Sequence, residues 1–387
     1  MPPTPSPTPS PFPFPTRRAL LRAGAGVAGA ALLGLAAPAT ARAGSPAPFG
    51  PYGSPAQRLD SRTRYVDPHG RGDHTTVQAA VDAASGTGRT LVIAPGTYRE
   101  TVSITAARAG LTLVGASDDP RDTVIVYDNA AGTMKPDGSG TYGTSGSATT
   151  TVRADGFTAY RITFANDFLR ADHPDITGTQ AVAIKVTGDR SAFHRCRFLG
   201  HQDTLYADSA ALSVFARQYF AHCHIEGDVD FVFGRGTAVF EHCRFHTLAR
   251  DVPFTPKGMV FAPSTARANP YGYLAVKCRI TSGAEDAAYK LSRPWVPSSD
   301  TTARPSLVVR DTWIGPGIDA AAPYTNMRDE FPWQAQRYAE YRNTGPGARI
   351  VVPENRPRLD AEGAASATRD TYLGDWRPWR NPERYMA

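Results

Sequence analysis

The stretches AFHRCRF (192–198), YFAHCHI (219–225), VFEHCRF (239–245) and LAVKCRI (274–280) are four variants of one pattern. Each centres on a cysteine (Cys196, Cys223, Cys243 and Cys278), with a polar residue next and Phe or Ile two places on. That is period-two alternation with one apolar face, the mark of a short β-strand. TAYRITF (158–164), centred on Ile162, and LVVRDTWI (307–314), centred on Thr312, repeat it without the cysteine. From Ile162 to Thr312 the centres lie 34, 27, 20, 35 and 34 residues apart. A short strand returning at irregular intervals of this size predicts an all-β chain folded as a right-handed parallel β-helix. Each coil stacks on the last, and the differences in length leave as loops. A β-sandwich of short strands is the competing architecture.

Stacking also bears on the cysteines. Equivalent residues on successive coils lie about 4.8 Å apart, within the Cα range of a disulfide. Cys223 and Cys243 are closest in sequence and are the first candidates for a bond in an exported protein, with the oxidation of the pair left open. The flanking His194, His222, His224 and His242 invite a zinc reading. Neighbours on a strand point to opposite faces, however, so Cys223 does not readily share a metal with His222 or His224. A buried cysteine ladder is favoured and no metal is expected.

The chain has 387 residues, and its first 43 read differently from the rest. TRRALLR (16–22) precedes the apolar run GAGVAGAALLGLAAPA (24–39), and Ala41-Arg42-Ala43 supplies a small-x-small cleavage site. This is the pattern of a secretory leader, with Arg17-Arg18 marking the twin-arginine type. The expected organisation is therefore a signal peptide over 1–43, a linker over 44–64, and a β-helix catalytic domain with a C-terminal extension over 65–387. The apolar run is short and rich in Gly and Ala, which argues against a stable membrane anchor. The expected location is secreted and extracellular.

The leader holds four arginines and no acid, so the +6 of the whole chain falls to +2 beyond it. No basic run marks a nucleic-acid partner. Amphipathic helical spacing is scarce: TTVQAAVDAAS (75–85) predicts a capping helix, and QAQRYAEYR (334–342) a weaker one in the C-terminal tail. A capped solenoid needs no partner to cover its end, so a monomer is expected.

Asp230 lies in GDVDFVFG (227–234), among valines and phenylalanines where a carboxylate is costly unless paired or used. It lies seven residues after Cys223, and Asp203 in GHQDTLY (200–206) lies seven after Cys196. If the cysteines are equivalent, the two aspartates stack about one coil apart, on the order of 5 Å. Two carboxyls that close titrate apart, leaving one charged beside one that keeps its proton. That supplies a nucleophile or base next to an acid. Asp228 shares a face with Asp230 by alternation, follows a glycine turn signal and is expected to face solvent.

GTYRE (96–100), GTSGSAT (143–149), QAVA (180–183), GHQDTLY (200–206), DFVFG (230–234) and LSRPW (291–295) occur in this order. NTGPGA (343–348) and YLGDW (372–376) continue the series. Over residues 65–376 the chain resembles the pectin methylesterases of bacterial type, a family of carbohydrate esterases. The resemblance implies a right-handed parallel β-helix that hydrolyses methyl esters of galacturonate units in pectin, a methyl-esterified homogalacturonan, with no cofactor. It implies Asp230 as nucleophile, Asp203 as general acid and then base, and Gln180 and Gln202 as oxyanion donors. Arg293 would pair with Asp230 and keep it ionised. Trp295 and Tyr206 would wall the sugar site, Phe233 would floor the methyl pocket, and Thr144 and Met327 would add contacts. The chain departs from the family at Ser292, where glycine is usual, and in AAAPYTNM (320–327), which lacks a tryptophan common among relatives.

The rival functions are a glycoside hydrolase, since two near carboxyls also suit retaining chemistry, another ester or thioester hydrolase with the same catalytic set, and a non-catalytic sugar-binding solenoid. The paired glutamines favour acyl transfer, because glycosidic cleavage has no carbonyl oxyanion to hold. GAGVAG (24–29) matches a dinucleotide fingerprint but sits inside the leader. GTSGS (143–147) lacks the last glycine of a serine-hydrolase elbow.

Overall fold

The structure, a computed structural model, describes residues 61–380. The leader and most of the linker lie outside the described residues. The first strand, Thr63–Val66, opens a right-handed parallel β-helix of three sheets with ten, eight and seven strands. Every named strand pair is parallel, and each full coil gives one strand to each sheet. One coil runs Ser191–His194, Arg197–Leu199, Leu205–Ala207; the next runs Arg217–Ala221, His224–Gly227, Val232–Gly234.

The six sequence repeats stack in the expected register. Arg197 pairs with Thr163 on one side and His224 on the other, and the series continues through Arg244, Arg279 and Trp313. Ile162, the four cysteines and Thr312 therefore form one inward column. Beside it, the rings of Phe193, Phe220 and Phe240 stack at 4.9 and 4.8 Å. Like side chains at one register position pack face to face, so a short hydrophobic pattern repeated along the chain becomes a continuous core.

The cysteines are free and buried, which decides the open question of the Cys223–Cys243 pair against a bond. Each thiol instead donates to a carbonyl of the preceding coil: Cys223 to Phe193 at 3.4 Å, Cys243 to Phe220 and Cys278 to Phe240 at 3.3 Å. Side chains at one register position leave the backbone in parallel, and a disulfide dihedral near a right angle does not suit that geometry.

Both ends follow from local chemistry. The helix Val77–Ala83 is capped by Thr76, whose hydroxyl accepts from Ala79 N–H, and Glu100 accepts from the N–H groups of Val77 and Gln78 at 2.8 and 2.9 Å. Its Val77, Ala80 and Val81 close the N-terminal end of the core. The stretch 334–342 is not helical: a 3₁₀ turn at Trp333–Ala335 leads into the strand Arg337–Tyr341, which pairs with Ser306–Arg310. RYAEY alternates, with Tyr338 and Glu340 buried, and the edge of the first sheet selects that period over the helical one. The tail's helices are instead Ala361–Ser366 and Arg369–Leu373. Ala367, Tyr372 and Leu373 cover Tyr219, Val239, Leu274 and Val308 on the outer face of the first sheet.

Candidate active site

The site lies on the outer face of the seven-stranded sheet. Leu205 pairs with Val232 and Tyr206 with Phe233, an offset of 27 residues that also sets Asp203 opposite Asp230. Both aspartates sit in the turns that enter this sheet, with φ of 67° and 49°. Asp tolerates this left-handed geometry better than most residues. Asp203 N–H donates to the Val229 carbonyl at 3.0 Å and Leu205 N–H to Phe231 at 2.9 Å, so main-chain bonds fasten one turn to the next. The pair is 7% and 6% exposed.

Arg293 extends the last strand of this sheet, its own N–H bonded to the Phe261 carbonyl at 3.1 Å. Its Nε donates to Asp230 Oδ1 at 2.9 Å and Nη2 to Oδ2 at 2.6 Å. No side-chain hydrogen bond to Asp203 accompanies these among the described residues. The charges follow from that asymmetry. Burial pushes the Asp203 carboxyl well above the ordinary carboxylate range, and the neighbouring Asp230 pushes it further. Burial raises Asp230 too, but the hydrogen bonds and charge of Arg293 pull it back. Asp203 is the proton holder of the pair and Asp230 the group poised to ionise.

Gln180 and Gln202 are on successive coils, with Ala181 N–H donating to the Gln202 carbonyl at 3.1 Å. Thr179 Oγ1 donates to Gln202 Oε1 at 2.9 Å, which fixes the amide and leaves its NH₂ to face the cavity. A one-turn helix, Gly143–Gly146, brings in Thr144. It is anchored by Asn166, whose side-chain amide donates to the carbonyls of Ser147 and Val182 at 3.3 and 3.2 Å.

One cavity of about 380 Å³ gathers all ten sequence-derived residues: Gln180, Gln202, Asp203, Asp230 and Arg293, with Thr144, Tyr206, Phe233, Trp295 and Met327. Tyr206 stacks on Phe233 at 4.1 Å, and Trp295 is 6.1 and 5.7 Å from those rings. Ser145 and Ala262 also line it and were not foreseen. Ala262 pairs with Phe233, so carrying the coil alignment one step further would have found it. Beside the cavity Lys185 donates to Ser145 Oγ at 2.8 Å and its Nζ lies 4.5 Å from the Tyr206 ring centroid.

Ser292 is fully buried and donates to the Phe261 carbonyl at 2.9 Å, with Tyr338 Oη 3.2 Å away, so its side chain turns away from the cavity. Asp228 does not face solvent: it is 1% exposed, ion-paired to Arg170 and 3.2 Å from His201 Nδ1. The glycine before it does not open a surface turn. Gly227 packs against Phe231 and the His201 carbonyl, where no Cβ would fit.

The described residues include no group of three or more His, Cys, Asp or Glu arranged to hold a metal. The cavity can perform acyl transfer with what it has: a carboxylate, a protonated acid beside it, amide donors and an apolar wall.

Comparison with known proteins agrees with that chemistry. The pectinesterase family model matches residues 64–375. A pectinesterase of Ralstonia solanacearum is 34% identical over 311 residues, covering 72% of this chain and 78% of that protein. Among solved structures, a pectin methylesterase from Erwinia chrysanthemi superposes with a TM-score of 0.71 at 32% identity, covering 81% of this chain and 97% of that one. Another, a pectin methylesterase in complex with a hexasaccharide, gives 0.72 at 31% identity with the same coverage. A match across nearly the whole solenoid, carried by sequence and by fold, means that this chain belongs to the pectinesterase family.

Proposed function

We propose that this protein is a pectin methylesterase, converting methyl-esterified galacturonate units to free carboxylates and methanol. The observation that carries the reading is the stacked Asp203–Asp230 pair with Arg293 bonded to Asp230. An ionised Asp230 attacks the ester carbonyl carbon. The carbonyl oxygen becomes an oxyanion that accepts amide N–H bonds from Gln180 and Gln202. As the tetrahedral intermediate collapses, the C–O bond to the methoxy group breaks and Asp203 gives that oxygen its proton, releasing methanol. An anhydride now joins Asp230 to the sugar acid. Asp203, now ionised, takes a proton from water as the water adds to the sugar carbonyl. Collapse frees the galacturonate and returns Asp230 as carboxylate and Asp203 as acid.

Phe233, Tyr206, Trp295 and Met327 would pack against the ester and its sugar, and Thr144 would add a polar contact at the rim. The hexasaccharide complex of the solved relative supports an oligosaccharide as ligand class. We infer also that the chain is secreted by twin-arginine export and works as a monomer. The Arg17-Arg18 leader pattern supports the first of these. Among the described residues no helix is long and apolar enough to cross a membrane.

The test is methanol release from methyl-esterified homogalacturonan. Asp230→Asn keeps shape and removes the nucleophile, and the rate should fall at least about a thousandfold. Release at the wild-type rate by that variant removes Asp230 from its role, and chain shortening without methanol points to a glycosidase.

A further inference from the structure

Asp228 is buried two residues before the nucleophile and has no part in the steps above. His201 lies opposite it at the same 27-residue offset that aligns Asp203 with Asp230. Asp228 N–H donates to the His201 carbonyl at 3.0 Å, and His201 Nδ1 is 3.2 Å from Asp228 Oδ2. Arg170 Nη1 donates to Oδ1 at 3.3 Å and Nη2 pairs with Oδ2. The Val229 N–H closes on Oδ1 at 2.7 Å. Arg170 belongs to the same 167–179 segment whose Thr179 orients Gln202. One carboxylate thus ties together the turn of the nucleophile, the turn of the acid and the segment behind an oxyanion donor.

We propose that Asp228, clamped by Arg170 and His201, is a positioning residue that holds the two catalytic turns in register and adds a negative charge to the field felt by Asp203 and Asp230. This rests on the esterase reading. Burial alone would raise the Asp228 carboxyl, but the hydrogen bonds and charges of His201 and Arg170 outweigh it and hold it down at about 2. It therefore stays a carboxylate, and a negative charge, at any pH well above that value. Its field raises the proton affinity of both catalytic carboxyls. The other groups within electrostatic reach are Arg250 from the 248–257 loop and Tyr289 on the strand Tyr289–Ser292. Both spend hydrogen bonds elsewhere, Arg250 on the Lys257 carbonyl and Tyr289 on that of Leu248, each at 2.8 Å. Arg293, bonded to Asp230, completes the set.

The experiment compares pH profiles of kcat/KM for methanol release in the full-length wild type, Asp228→Asn, and Asp228→Asn with Arg170→Gln. The acid limb follows ionisation of Asp230 and the alkaline limb loss of the Asp203 proton. Removing a nearby negative charge lowers both, so Asp228→Asn should move the whole bell toward acid by roughly one pH unit. The double variant leaves no unpaired arginine, so it remains informative where the single variant folds poorly. It should move the bell the same way by less, because loss of the Arg170 charge works in the opposite direction. Limbs that superimpose on wild type, or a loss of rate equal at every pH, would show a merely structural residue and overturn the proposal. Failure of the wild type to release methanol would instead remove the esterase reading itself.

Discussion

Two corners of the solenoid use the same backbone device for opposite ends. Where the chain leaves the ten-stranded sheet, Arg161, Arg195, His222, His242, Lys277, Asp311 and Arg342 all adopt φ of 50–55°. Where it enters the seven-stranded sheet, Asp203 at 67°, Asp230 at 49° and Ala287 at 57° lie in the same left-handed region. A left-handed residue that is not glycine costs about 1–2 kcal/mol. At the first corner Arg195, His222, His242 and Lys277 throw their side chains into water, and the residue after each falls into the inward column. At the second corner Ala287 stays exposed, but Asp203 and Asp230 are themselves trapped, and each carboxyl is buried beside the other. A solenoid stacks whatever its sequence repeats. Stacked phenylalanines and thiols gain from that geometry, whereas stacked acids are strained by it, and the strain becomes proton chemistry.

The sharpest way to break this comparison is to neutralise one acid without changing its shape. Asp203→Asn should cut methanol release by about 10²–10⁴-fold, the usual worth of a general acid and base. Its stability should respond in the other direction. Asp203 is protonated when folded and ionised when unfolded at any pH between the ordinary carboxyl value and its own raised one. The folded state binds more protons there, so wild-type stability falls as pH rises through that window. The variant escapes that loss, and its advantage should grow by up to about 1.4 kcal/mol per pH unit. Thermal unfolding from pH 4 to 8 measures it; parallel curves for the two proteins would mean that Asp203 carries no raised proton affinity. On the other side of the comparison, Phe220→Ala removes the middle ring of the Phe193–Phe220–Phe240 stack. It should cost about 3–5 kcal/mol in denaturant unfolding. A loss below about 1 kcal/mol would show that neighbouring rings close the gap.

The column of Ile162, Cys196, Cys223, Cys243, Cys278 and Thr312 was legible because one coil repeats the environment of the last, so local alternation carries three-dimensional register. The same register aligned Asp203 with Asp230 from spacing alone. The full cavity set came through the family resemblance, since the sequence separation of Gln180, Asp230 and Arg293 hides their nearness. Asp228 was misplaced because alternation states which side of a strand a residue takes and says nothing of a distant segment folding over it. Arg170 lies 58 residues away and its approach leaves no local trace. The 334–342 stretch failed for a related reason: an apolar pattern short enough to fit either period is decided by the sheet edge it meets.

The smallest expected effect is none, and it separates stacking from cross-linking. A Cys223–Cys243 bond would close a loop of about 20 residues, worth about 3 kcal/mol in the chain-entropy account. Adding a reductant would then lower Tm by several degrees, at about 2–4 °C per kcal/mol for a domain of this size or somewhat smaller. With all four thiols free, reductant should leave Tm unchanged, and the denatured, unreduced protein should react with a thiol reagent at Cys196, Cys223, Cys243 and Cys278 alike. Burial pushes the Cys196 thiol up to about 12 and drives Cys243 and Cys278 well above their ordinary range, so they stay protonated and slow to oxidise. Fewer than four reactive thiols after unfolding, together with a Tm that falls on reduction, would mean that two coils are stitched rather than stacked. The cysteine column would then owe its order to a covalent bond that the phenylalanine stack beside it does without.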